Sequence, residues 1–213
     1  MTQTLSMKKS GIRIGLVLFD FVEELDFAGP WEVFTMASEL RPGCVEAVLI
    51  SETGAKVTCA KGMRVECDHS FASAGVLDVM LVPGGQGTRA QAKNPAMLNF
   101  IAEAAKSCTY VTSVCTGSLL LAAAGPAKGK KITTHWAFVE QLRARNEAAE
   151  VLSDVRYVQD GHIVTSAGVS AGIDMALWLL GQWFDPTFAR QVQHAMEYDP
   201  CPPYADVPIA PLG

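Results

Sequence analysis

The sequence predicts a doubly wound, mainly parallel α/β sheet with helices on both faces, and three observations carry that expectation. Short apolar, β-branched runs recur at residues 12–19, 45–51, 78–82 and 109–114, the reading of strands buried on both faces. Segments of helical character fall between them, as the crossovers of a parallel sheet require. Finally, Thr109-Tyr-Val-Thr-Ser-Val-Cys-Thr-Gly-Ser-Leu-Leu-Leu-Ala-Ala-Ala-Gly125 runs from strand to helix through Cys115, which is the pattern of a nucleophile elbow with sulfur in place of oxygen.

Each element has its own signal. Residues 12–19 carry no polar break after Arg13. Pro30 suits a first helical turn, so a helix is expected over 31–40, followed by a strand at 45–51. Alternation around Lys61-Gly62 marks a hairpin within 56–66. The strand at 78–82 ends in Pro83-Gly-Gly85, and a helix at about 95–105 leads to the Cys115 strand. Gly125 with Pro126 behind it closes the elbow helix. A short strand at 131–134 precedes a helix over about 135–145. Residues 155–158 and 162–165 flank Gln159-Asp-Gly161, a turn signal. Ser170 is read as the cap of a helix reaching about 184, and Asp185-Pro186 opens another ending near 198.

At 213 residues the chain suits one domain at 11–198, with a flexible N-terminus at 1–10 and a Pro-rich tail at 199–213. The formal charge of −5 and the scattered basic residues argue against a nucleic-acid groove. No apolar run approaches the roughly 18 residues of a membrane span, and residues 1–10 lack the apolar core of a secretory signal. Six cysteines in that context imply free thiols and a cytoplasmic setting. No Cys-x-x-Cys or His-x-x-x-His spacing occurs, so no metal site is expected.

Cys115 stands apart from the other five cysteines because unpaired N–H groups of a helix start would face its sulfur and favour thiolate near neutral pH. Three features can converge on it. Asp26, flanked by Leu25 and Phe27, is either an acid/base with a raised pKa or the cap of the helix expected near Pro30. Pro83-Gly-Gly-Gln-Gly87 is either a turn or, through the amides of Gly84 and Gly85 with that of Thr116, an oxyanion pocket; without a following Gly-Lys-Ser/Thr it is no phosphate cradle. His135 is either a general base or polar pocket wall, or a structural residue at a helix start.

Val82-Pro-Gly-Gly85, Ser113-Val-Cys-Thr-Gly-Ser118 and Thr133-Thr-His-Trp136 resemble the ThiJ/PfpI superfamily over nearly the whole chain. That resemblance implies a flavodoxin-like fold related to class I glutamine amidotransferases. Leu25-Asp-Phe-Ala-Gly-Pro30 and Glu197-Tyr-Asp-Pro-Cys-Pro-Pro-Tyr204 are most similar to its isocyanide hydratase branch. The branch implies a homodimer that uses no cofactor and adds water to an isocyanide, giving an N-substituted formamide. By the same resemblance Cys115 matches the nucleophile, Asp26 the acid/base, and Thr116 the residue that replaces histidine of the peptidase-like members. The superfamily also contains glyoxal-directed enzymes and ligand-sensing regulators, and an exposed reactive thiol would suit a redox sensor.

Overall fold

The apolar run that opens the chain becomes the middle of the sheet. The structure, a computed structural model, describes residues 11–201 and Ala205, so the expected flexible N-terminus and most of the Pro-rich tail lie outside the described residues. The strands are β1 (Ile12–Val17), β2 (Val45–Ser51), β3 (Val57–Thr58), β4 (Arg64–Val65), β5 (His69–Ser70), β6 (Val79–Val82), β7 (Tyr110–Val114), β8 (Lys131–Thr133), β9 (Glu150–Leu152), β10 (Tyr157–Asp160) and β11 (Ile163–Ser166). The helices are α1 (Glu24–Leu40), α2 (Thr88–Gln91), α3 (Pro95–Ala104), α4 (Gly117–Ala124), α5 (Val139–Arg143), α6 (Ala171–Trp183) and α7 (Pro186–Ala195).

Seven strands form one sheet in the order β10-β11-β7-β6-β1-β2-β5, parallel throughout except for β10. Helices flank it in two groups, α1, α6 and α7 packing together and α2 and α3 packing on α4. Central position explains the uninterrupted apolar strands: Ile14, Leu16, Leu81, Val82, Val111 and Val114 have essentially no exposed surface. The fold is the flavodoxin-like doubly wound arrangement expected.

The chain leaves β1 to one side for β2 and returns to the other side for β6, so the strand order reverses beside β1. Such a switch point opens a crevice at the strands' carboxyl ends, because the two connections diverge onto opposite faces. Here the two loops bordering it are tied together. Val22 bridges to Gly85, and Glu23 N–H donates to the Gly84 carbonyl at 3.0 Å.

Several boundaries differ from expectation. α1 begins at Glu24, seven residues before Trp31, and Pro30 lies buried inside it. Pro30 has no N–H for the Asp26 carbonyl four residues back, so its signal marks an early turn and not the first. Asp26 therefore does not cap a helix beginning near Pro30; it sits in the first turn of α1. The helix expected after His135 splits into a 3-10 turn at Trp136–Phe138 and the short α5. Ser170 precedes α6 without a side-chain capping bond, its hydroxyl taking instead a bond from Arg156 Nη2 at 3.3 Å. Asp185 does cap α7, accepting from Phe188 N–H at 2.8 Å. The short elements β5, β9 and α2 had no periodic signal, each being four residues or fewer.

Candidate active site

Cys115 follows β7 directly and stands one residue before Thr116, the N-cap of α4. Its φ is +56°, a left-handed conformation that is uncommon outside glycine and turns the chain sharply. Two frameworks hold the turn. Its N–H is shared between the carbonyls of Ser166 (3.2 Å), the last residue of β11, and Ala167 (3.1 Å) just beyond it. Its carbonyl accepts from Ser118 Oγ at 3.1 Å and Thr134 Oγ1 at 3.0 Å. Gly117 is required because a Cβ there would run into the Val82 carbonyl at the end of β6.

Asp26 reaches the same spot from α1 and is 0% exposed. Its Oδ2 accepts the Gly84 N–H at 2.8 Å. Its Oδ1 is buried without a donor at full hydrogen-bond geometry, although the Cys115 thiol and the Val169 N–H both stabilise the carboxylate electrostatically. Burial dominates and pushes the Asp26 pKa up to about 7 from 3.8, against the pull of Gly84, with the nearby Glu23 charge adding to the rise.

The thiol does not match the low-pKa expectation. Burial, then the Asp26 charge, push Cys115 up to about 12, outweighing the Thr116 N–H and hydroxyl that act the other way. Cys115 is 6% exposed, and the Thr116 N–H at the helix start does not offset loss of solvent around sulfur. Between about 7 and 12 the pair therefore holds one proton, resting on sulfur, with the carboxylate adjacent to receive it.

Thr116 Oγ1 is a junction, accepting from Gly85 N–H at 3.1 Å and from Thr88 Oγ1 at 3.3 Å. The amides of Gly84 and Gly85 are thus both engaged, one orienting Asp26 and the other Thr116. The oxyanion pocket expected from them is not open. The glycines serve instead as positioning backbone, and Thr116 directs its N–H and hydroxyl at the sulfur. His135 combines its two readings. Its Nδ1 accepts Ala137 N–H at 3.2 Å, capping the 3-10 turn, while the ring lines the cavity and burial lowers its pKa below 6.5.

The cavity over Cys115 holds about 290 Å³ and is walled by Glu23, Arg89, Thr116, His135, Phe138 and Val169, among others. A larger groove of about 540 Å³ beside β9, lined by Arg143, Asn146, Glu150 and Ser153 among others, contains no cysteine and therefore no carboxyl–thiol pair. Glu23 and Glu24 are held by Lys61 at the tip of the β3–β4 hairpin. Burial acts to raise the Glu24 pKa, but backbone N–H groups and Lys61 more than reverse it. Sequence reasoning missed Arg89 on α2, Phe138 in the 3-10 turn and Val169 after β11, none of which lies in a motif. It also passed over Thr134, whose hydroxyl braces the elbow one residue before His135. Among the described residues no helix is long and apolar enough to cross a membrane, and no cluster of His, Cys, Asp or Glu is arranged for a metal ion.

Residues 12–182 match the model of the DJ-1/PfpI family. The chain is 38% identical to an isonitrile hydratase of Pseudomonas putida, over 91% of its own length and 81% of that protein's. It is also 26% identical to the HTH-type transcriptional regulator CdhR of Pseudomonas aeruginosa, spanning about half that regulator's length. A crystal structure of a ThiJ/PfpI family protein from Pseudomonas syringae superposes with a TM-score of 0.84 at 31% identity, covering 92% of this chain and 78% of that one. Drosophila melanogaster DJ-1beta shares the fold, with a TM-score of 0.77 at 21% identity, over 88% of this chain and 98% of its own. With the family model spanning the sheet, the elbow and most of α6, the chain belongs to the DJ-1/PfpI family.

Proposed function

We propose that the protein is a cofactor-independent isocyanide hydratase, a hydro-lyase that converts an isocyanide to an N-substituted formamide. The observation that carries this reading is the buried Asp26 carboxyl beside the Cys115 thiol, a proton acceptor set against a cysteine that is followed by Thr116 and not by histidine. The 38% identity to an isonitrile hydratase supports it.

The chemistry follows from the single shared proton. Asp26 takes the thiol proton as sulfur bonds to the terminal isocyanide carbon, then delivers it to that carbon, giving a thioimidate (R–N=CH–S–Cys115). Asp26, again ionised, removes a proton from water as the oxygen attacks the same carbon. That proton passes to nitrogen. Collapse of the tetrahedral adduct breaks the C–S bond, the hydroxyl proton returns to sulfur, and R–NH–CHO leaves. Thr116 would stabilise sulfur whenever it carries negative charge, through the groups that already lower its pKa. The polar wall at His135 bounds the substrate's outer portion. The protein would act as a homodimer in the cytoplasm, without nucleic-acid or membrane partners.

The decisive experiment is hydration of cyclohexyl and p-nitrophenyl isocyanide, with methylglyoxal as a competing substrate. Wild type should hydrate the isocyanides and leave methylglyoxal essentially untouched, and Cys115→Ala should have no activity. Near-wild-type hydration by Cys115→Ala would defeat the mechanism, and turnover of methylglyoxal alone would redirect the assignment to glyoxal chemistry. Light scattering in solution tests the dimer.

A further inference from the structure

The cavity above Cys115 contains a cation with no assigned role. Arg89 is solvent-exposed and borders the cavity whose floor holds the buried sulfur. Its guanidinium lies over the Phe138 ring at 5.0 Å and donates to the Gly85 carbonyl at 3.1 Å. Its other near contact is the Thr88 hydroxyl at 3.5 Å. All of these partners are uncharged, and among the described residues no carboxylate pairs with it. The carboxylate that shares the wall, Glu23, is held by Lys61 instead.

The remaining polar lining can also donate. Gln86 and Gln141 bring uncharged amides that can turn their NH2 groups to an acceptor. His135, with Nδ1 accepting from Ala137, carries its proton on Nε2 when neutral, so it too is a donor. A rim of donors with an unpaired guanidinium fits an anionic acceptor, because a planar guanidinium binds a carboxylate through two parallel bonds.

Isocyanide geometry decides where such a group would lie. The R–N≡C unit is linear, so with its terminal carbon at Cys115 the substituent projects straight away from the buried sulfur. It points towards the exposed rim where Arg89 stands. A carboxylate on that substituent is thereby kept away from Asp26, whose charge would otherwise repel it. Phe138, stacked beneath the guanidinium, holds Arg89 over the cavity.

Resting on the hydratase reading, we propose that Arg89 is a specificity residue and that the preferred substrates are isocyanides whose N-substituent carries a carboxylate. The reaction is unchanged; Arg89 contributes binding only, and no proton or bond is transferred to it.

The test compares isocyanoacetate and 4-isocyanobenzoate with their methyl esters, measuring kcat/KM for wild type, Arg89→Gln and Arg89→Lys. The acid-to-ester ratio is the readout, so any partial misfolding of a variant cancels. Wild type should favour the acid of at least one pair by about ten- to hundredfold, the range of a hydrogen bond to a charged group. That preference should fall with added salt. Arg89→Gln should bring the ratio close to one, and Arg89→Lys should retain part of it. Turnover of the esters with the same ratio in wild type and Arg89→Gln would overturn this inference and leave the hydratase reading standing. Failure to hydrate any isocyanide, cyclohexyl isocyanide included, would remove both.

Discussion

Replacing Asp26 by asparagine isolates what a buried carboxyl does to this fold. In the folded protein Asp26 titrates near 7, against 3.8 for an ordinary aspartate, with burial as the main cause. The folded state therefore holds this proton to higher pH than the unfolded chain does. The stability contributed by the group is complete below 3.8 and is lost as pH rises to about 7. One pKa unit corresponds to about 1.4 kcal/mol, so the loss across that window is about 4 kcal/mol. The asparagine amide can keep the Gly84 bond through its oxygen but cannot titrate. Urea unfolding of both proteins between about pH 4 and pH 8 measures the effect, and taking the difference removes every other titrating group. Asp26→Asn should gain about 4 kcal/mol relative to wild type on going from the acidic to the alkaline end. A constant offset between the two curves would show that the carboxyl keeps an ordinary pKa and would refute the shared-proton reading of the site.

Three other outcomes follow from the same geometry. Below about pH 7 Asp26 gains a second proton for the pair and can no longer accept from the thiol, so kcat/KM should fall about tenfold per pH unit; a flat profile down to about pH 5 contradicts this. Thr116→Val leaves the Gly85 N–H without its acceptor and removes a hydroxyl that lowers the thiol pKa. It should slow both turnover and iodoacetamide alkylation by about tenfold or more, with Thr116→Ser restoring most of each rate. Gly84→Ala would place a Cβ 2.5 Å from Thr116 N and 2.9 Å from Asp26 Oδ2, a clash with backbone that cannot swing aside. A loss of about 1–3 kcal/mol in urea unfolding together with loss of hydration is expected, and a variant that keeps both disproves the close packing.

The parts legible in the sequence were those that depend on local pattern. The buried strands announced themselves because two covered faces tolerate no polar break, and the elbow because a β-branched run met a Leu/Ala helix at a cysteine. Asp26 is identifiable as a partner from its neighbours but its position in the helix is not, since Pro30 signals a helix start whereas the helix accommodates it within its second turn. The direction of the thiol shift was illegible for a different reason. A helix start favours thiolate and burial disfavours it, and the balance depends on how completely residues distant in the chain cover the sulfur. Arg89 and Phe138 meet only when α2 and the 3-10 turn after β8 fold over the same cavity, so no spacing could relate them. The amides of Gly84 and Gly85 were placed correctly in space, yet only three-dimensional neighbours reveal that Asp26 and Thr116 already occupy them.

Backbone strain around the crevice ties these features into one device. Phe21, Cys115 and Val169 adopt φ of +63°, +56° and +53°, and they follow β1, β7 and β11 respectively, all at the strands' carboxyl ends. Each such conformation costs on the order of 1–3 kcal/mol, and it is least expected for a β-branched residue such as Val169. The gain is specific in each case. Phe21 turns the chain so that Val22 and Glu23 meet Gly85 and Gly84. Cys115 presents sulfur above the sheet edge, and Val169 brings its N–H to Asp26, where it lowers the carboxyl pKa. Rotating the Val169 peptide into a relaxed conformation would withdraw that N–H and drive Asp26 still higher than about 7, towards a carboxylic acid that cannot take the thiol's proton. The strained Val169 thus adds to the larger pull of the Gly84 N–H, and the two together hold the buried carboxyl down against the effect of burial.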